Sequence, residues 1–247
     1  MLFPLLLAAA ASAQAVPADM KSCVRMVRED ARSAEIAAAA WRQKGGGLDA
    51  QSCEGLALST QEKWSSAALV FEQAALEAER SKDLRRADLW VQAGNSWLAG
   101  GEAAKARKAF DSALATTLLA PQLRGEVYLD RGRAAVAVSD LAAARADIDQ
   151  ALALVPADPF AWYLSAALAR RTNDLKRAGS DIAKAVSLAP NESPILLEAG
   201  NVAGLSGDVD GARRFYQRAA SASPASDAGK AAAAALAANG AVTPPPR

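Results

Sequence analysis

The sequence predicts an all-α fold: a solenoid of helix-turn-helix repeats with a capping helical segment at each end. Three observations predict it. Alanine makes up about a quarter of the 247 residues and aromatic residues only 5%. That mix favours helices, because alanine is the best helix former and strands prefer β-branched and aromatic residues. A pattern of alanine, a large apolar residue four positions on and alanine three further on recurs five times. It reads Ala67-Phe71-Ala74, Ala106-Phe110-Ala113, Ala144-Ile148-Ala151, Ala178-Ile182-Ala185 and Ala212-Tyr216-Ala219. The anchors lie 39, 38, 34 and 34 residues apart, and a fixed period of this size marks a repeat architecture.

The elements follow in chain order. Residues 1–15 read as a cleavable signal peptide. Leu2, Phe3, Leu5, Leu6 and Leu7 form a short apolar stretch that runs into Ala11-Ser12-Ala13 and Ala13-Gln14-Ala15. Such small-residue patterns suit signal peptidase. The stretch falls short of the roughly 20 apolar residues a membrane-spanning helix needs, so no transmembrane helix is expected after cleavage. Residues 16–47 carry helical spacing and end at Gly45-Gly46-Gly47, which predicts an N-terminal helical cap. The chain has two cysteines, Cys23 and Cys53. In an exported chain an even pair favours a disulfide, here joining the cap to the start of the repeats. Two buried free thiols are the alternative, and there is no C-x-x-C arrangement to suggest a redox pair.

Each anchor is preceded, twelve positions earlier, by a small residue: Gly55, Gly94, Gly132, Ala166 and Gly200. Four residues before that, three repeats carry Trp90, Tyr128 and Trp162, while Gln51 and Leu196 occupy the place in the other two. Small residues let paired helices approach closely, and the large apolar residue fills the hole beside them. Pro156, Pro190 and Pro224 stand five residues after the last three patterns and should end their second helices. Gly100-Gly101, Ser139-Asp140, Asn173-Asp174 and Gly207-Asp208 read as the turns within repeats.

This combination resembles the tetratricopeptide repeat family. The resemblance covers residues 48–226, as repeats at 48–81, 87–120, 125–158, 159–192 and 193–226. It implies a right-handed superhelix. Five and four extra residues in the first two gaps should lengthen a helix or its turn. Residues 227–240 read as the C-terminal capping helix that repeat arrays require. Residues 241–247, with Pro244, Pro245 and Pro246, read as a disordered tail.

Composition also narrows function. Lys and Arg number 28 against 27 Asp and Glu, a net charge of +1, which argues against nucleic acid as partner. There is no histidine. That removes His bases, His-assisted nucleophiles and His-ligated zinc. Gly45-Gly46-Gly47 lacks the lysine of a phosphate-binding loop. No catalytic residue, metal site or cofactor is therefore assigned. Asp147, Asp181 and Glu198 are acids at helix positions, and nothing in the sequence pairs two of them in an apolar pocket.

The resemblance implies that the first helix of each repeat lines a concave groove. By phase, its candidate binding residues are Val91, Asn95, Leu98, Leu129, Arg133, Phe160, Tyr163, Arg170, Leu197 and Asn201. Mixed apolar and hydrogen-bonding character suits an extended peptide or a helix, and Phe160 with Tyr163 are the anchor candidates. One subfamily clamps C-terminal carboxylates. This chain matches its pattern only at Asn95, because Val91 stands where the clamp needs lysine. The expected function is a non-enzymatic, protein-binding scaffold or adaptor of the cell envelope, periplasmic or secreted. The Ala- and Arg-rich composition suggests a bacterial source. A structural or self-associating subunit is the alternative. A carbohydrate or peptidoglycan binder, with Trp162 and Tyr163 as its aromatic platform, is a third reading.

Overall fold

The computed structural model describes residues 16–240; the expected signal segment and proline-rich tail lie outside the described residues. Among the described residues there are thirteen α-helices and no strand. They pack in consecutive pairs and divide into two compact units, meeting in sequence between Ala113 and Leu114.

The first unit holds α1 (Met20–Glu29), α2 (Ala31–Gln43), α3 (Gly47–Thr60), α4 (Trp64–Ser81), α5 (Arg86–Ala99) and α6 (Ala103–Leu114). A capping box starts α1. The Asp19 carboxylate accepts from the Ser22 amide at 2.7 Å while the Ser22 hydroxyl accepts from the Asp19 amide at 3.1 Å. Asp30 then caps α2 through the Arg32 amide. The Cys23–Cys53 disulfide joins α1 to α3, with Cα atoms 5.9 Å apart. Both cysteines are fully buried, in a cluster with Val27, Ala34, Ala38 and Ala57. Their disulfide is thus a core staple between the cap and the first repeat.

The second unit holds α7 (Pro121–Ala137), α8 (Leu141–Leu154), α9 (Pro159–Arg171), α10 (Leu175–Leu188), α11 (Ser193–Leu205), α12 (Val209–Ala222) and α13 (Asp227–Gly240). Helices α8, α10 and α12 each stop two residues before a proline, at Pro156, Pro190 and Pro224. This is the expected effect of a residue that disfavours helical geometry in its predecessor. Their starts repeat as faithfully. Asp140, Asp174 and Asp208 accept from the backbone amides of Ala143, Arg177 and Gly211 at 3.1, 3.1 and 2.8 Å. Each satisfies an amide that the first helical turn leaves without a partner. The extra residues in the two long gaps lengthen helices, as α4 runs to Ser81 and α7 begins at Pro121.

The small-residue rule is visible as contact. A Cβ built on Gly55 would lie 2.6 Å from the Phe71 ring, and one on Gly94 or Gly200 would overlap the ring of Phe110 or Tyr216. Where the facing residue is Ile148, a Cβ on Gly132 would meet it at 3.2 Å. In the next repeat the pair is Ala166 and Ile182, which share one core cluster. Glycine is thus required opposite a ring, and alanine suffices opposite isoleucine.

The turn inside each pair places its second residue in the left-handed region: Glu62, Gly101, Ser139, Asn173 and Gly207, with φ of 58°, 78°, 63°, 62° and 86°. An L-residue is strained there by about 1 kcal/mol, and glycine is not. Ser139→Gly is expected to stabilise the second unit by roughly 0.5–1 kcal/mol, less the entropy glycine adds to the unfolded chain. A urea titration followed by circular dichroism reads this directly; an unchanged or lower midpoint would contradict it.

Candidate functional site

In the second unit, α7, α9 and α11 are the first helices of successive pairs, and three hollows that share lining residues lie beside them. The first, about 430 Å³, is lined by Glu126, Leu129, Asp130 and Arg133 from α7 and by Phe160, Tyr163 and Leu164 from α9. The second, also about 430 Å³, shares Arg133 and Leu164 with it and adds Val136, Ile148, Ala167, Leu168, Arg170 and Arg171. The third, about 780 Å³, begins at Arg170 and continues past Asn201, Leu205, Val209, Arg213 and Tyr216 to Leu236 of α13.

Helical spacing explains why these side chains converge. Phe160, Tyr163 and Ala167 fall at intervals of three and four on α9, so they share one face. Leu164 and Leu168 lie one step around from it. Phe160 is 45% exposed at the start of α9, where Asp158 caps the helix through the Phe160 amide. Its ring meets Tyr163 edge-on, with centroids 6.3 Å apart at 84°. The pair is a preformed apolar platform, since such T-shaped contacts are favourable. Burial raises the Tyr163 phenol pKa, and the nearby Glu198 carboxylate adds to the rise.

The polar groups are held in place. Arg170 Nε donates to Glu198 at 2.6 Å, and that hydrogen bond holds the guanidinium in its charged form. Asn201 Nδ2 donates to the other Glu198 oxygen at 3.2 Å, and the Tyr216 hydroxyl donates to Asn201 Oδ1 at 3.0 Å. One chain of hydrogen bonds therefore fixes Arg170, Glu198, Asn201 and Tyr216. Arg133 donates to Asp130 at 2.9 Å. Burial pushes the Asp130 carboxyl above its usual range, against the pull of Arg133.

Arg133, Phe160, Tyr163, Arg170 and Asn201 thus line the three hollows together. Leu129 lines the first hollow but is only 7% exposed, because it packs into the core cluster with Ala161 and Leu168. Leu197 is half-buried against the Tyr216 cluster. The remaining candidates lie on α5 in the first unit. Val91 is only 5% exposed, a packing residue of a helix that lies against α4, so its expected place on an open surface is corrected. Asn95 is exposed and Leu98 half-buried. Leu164, Arg171, Leu205 and Val209 are not among the candidates that phase names, and each lines the trough.

The buried acids are separately paired. Arg131 holds Asp147 with two hydrogen bonds, of 2.9 and 2.6 Å. Ser165 and Arg177 both donate to Asp181. Glu198 is bound to Arg170. Three of the five tryptophans are also engaged: Trp90 donates to Glu79, Trp97 to Glu72 and Trp162 to the Pro156 carbonyl. Trp162 is thereby oriented as a packing residue. Among the described residues no helix is long and apolar enough to cross a membrane.

No protein-family model matches the chain, and no curated protein is similar to it in sequence. Solved structures are similar in fold. PilF of Pseudomonas aeruginosa superposes with a TM-score of 0.69 at 16% identity, over 87% of this chain and 95% of that one. YrrB, described as a TPR protein with an unusual peptide-binding site, gives 0.58 at 18% identity, over 79% and 96%. TTC0263, a thermophilic TPR protein of Thermus thermophilus, gives 0.60 at 17%, over 77% and 99%. Set beside the repeated anchors, capping aspartates and paired helices, these likenesses identify the fold of the chain as that of the tetratricopeptide repeat proteins.

Proposed function

We propose that the chain is a protein-binding scaffold that holds an extended peptide segment in the trough along α7, α9 and α11. The observation that carries this is the Phe160–Tyr163 platform, presented beside hollows in which Arg170, Asn201 and Tyr216 are already held by hydrogen bonds. Rigid aromatic anchors next to preorganised hydrogen-bonding groups lower the entropic cost of binding. YrrB supports the reading as a protein of this fold with a peptide-binding site. Capture of partners from the native cell by immobilised protein should fall at least about tenfold for Phe160→Ala/Tyr163→Ala, the scale of losing a hot-spot residue. Undiminished capture would reject the trough.

The proposal extends to location. A buried structural disulfide suits an oxidising compartment, which supports a cell-envelope location reached by export through the apolar N-terminal segment. Mass spectrometry of the non-reduced protein from the periplasmic fraction should find Cys23 and Cys53 linked; recovery only from cytosol would refute the location. A second reading, a self-associating or structural subunit, is favoured by Leu69 and Leu76. They stand seven residues apart on α4 and are 51% and 46% exposed. Sedimentation that shows a concentration-independent monomer would remove self-association.

A further inference from the structure

The second hollow is lined only by apolar residues and arginines. Its floor is apolar, formed by Val136, Leu164 and Leu168, and its rim carries Arg133, Arg170 and Arg171, with no carboxylate among its lining residues. The first hollow, by contrast, contains Glu126 and Asp130. Arg171 has no anionic partner among the described residues, and Arg133 spends one terminal nitrogen on Asp130. Arg170 engages Glu198 only through Nε, which leaves its two terminal nitrogens available. A guanidinium has five N–H donors in a planar fork suited to carboxylates. Three such forks around an apolar floor form a recognition surface for a particular side-chain pair.

We infer that this hollow selects an acidic amphipathic peptide, seating a large apolar side chain on the floor and an adjacent carboxylate against the arginine rim. The inference rests on the trough reading and gives it a partner chemistry. A neutral or basic peptide leaves three guanidiniums facing an apolar group, and so loses the favourable part of desolvation. A purely acidic peptide without the apolar residue gains only exposed ion pairs, which are weak in water. Selectivity therefore requires both features in neighbouring residues. The register is set by the platform, because Phe160 and Tyr163 border the adjoining hollow through the shared Leu164 and Arg133.

The test uses the full chain and three blocked, fluorescein-labelled peptides. The first is Gly-Asp-Phe-Glu-Leu-Asp-Gly, the second replaces its acids by Asn and Gln, and the third replaces Phe and Leu by Ala. Fluorescence anisotropy should show the first binding at least tenfold more tightly than either control, with affinity falling as salt rises. Arg171→Ala and Arg133→Ala, both at exposed positions, should each weaken the first peptide severalfold and leave the second unchanged. Equal binding of the first two peptides overturns the inference, as does the absence of binding by the first. If Phe160→Ala/Tyr163→Ala abolishes binding while both arginine variants are neutral, the inference fails and the trough survives. If the arginine variants weaken binding and the aromatic variant does not, the hollow stands and the anchoring platform fails.

Discussion

Gly94→Ala should destabilise the first unit by about 1–3 kcal/mol, whereas Gly132→Ala should leave the second within about 0.5 kcal/mol of the parent or more stable. The two substitutions are chemically identical and both sit inside helices, so intrinsic propensity predicts the same gain for each, close to 1 kcal/mol for alanine over glycine. What differs is the neighbour. A methyl at Gly94 overlaps the ring of the fully buried Phe110, whose rigid edge has no free space into which to turn. A methyl at Gly132 meets the flexible Cγ1 of Ile148 at 3.2 Å, a contact relieved by a shift of a few tenths of an ångström. The chain already uses the permitted combination, since Ala166 shares a core cluster with Ile182. Urea titrations of both variants measure the difference. A double variant supplies the control: in a Phe110→Ile background, Gly94→Ala should lose most of its cost. Equal effects at Gly94 and Gly132 would mean that ring overlap is not what holds glycine at these crossings.

The same comparison shows which parts of the structure are legible in the sequence. Helix pairing is legible because a rule of contact recurs at a fixed offset. Gly55, Gly94, Gly132 and Gly200 each precede their facing residue by sixteen positions, and the offset is readable before any coordinate. The aspartate caps and proline stops are legible for the same reason. Glu62 is not, because glutamate carries no turn signal, and its left-handed backbone follows from the register alone. The candidate site is less completely legible. Phase within a repeat names the helix face but not whether a neighbour covers it, and that depends on side-chain size in the adjoining pair. Leu129 is covered by the Ala161 and Leu168 cluster, and Val91 is buried, although both occupy the same phase as residues that remain open. Arg171 escapes a reading by phase because an Arg-Arg pair looks like a solvated surface. Only the fold places the second of the pair on the rim of an apolar hollow. The Arg131–Asp147 pair is equally hidden, because charges sixteen residues apart carry no local signal of burial.

Removing the disulfide should cost the first unit about 3–4 kcal/mol. The bridge closes a loop with a sequence separation of 30, and the chain-entropy estimate for a loop of that size is about 3.6 kcal/mol. Cys23→Ala/Cys53→Ala is the suitable variant, because serine at these fully buried positions would add hydroxyls to an apolar cluster. The loss should be spatially uneven. Helix α1 has ten residues and buries only Cys23 and Val27, and an isolated helix of that length is marginal in water. Without the covalent link, residues Met20–Glu29 should open before the rest of the unit and expose the face of α2 and α3 formed by Ala34, Ala38 and Ala57. Hydrogen exchange of the variant should show protection lost first in α1, while α3 and α4 retain theirs until global unfolding. Urea titration of the oxidised parent against the variant gives the total. A midpoint that does not move would show that packing of Val27 alone docks the cap, and that the bridge adds no stability to the unit it joins.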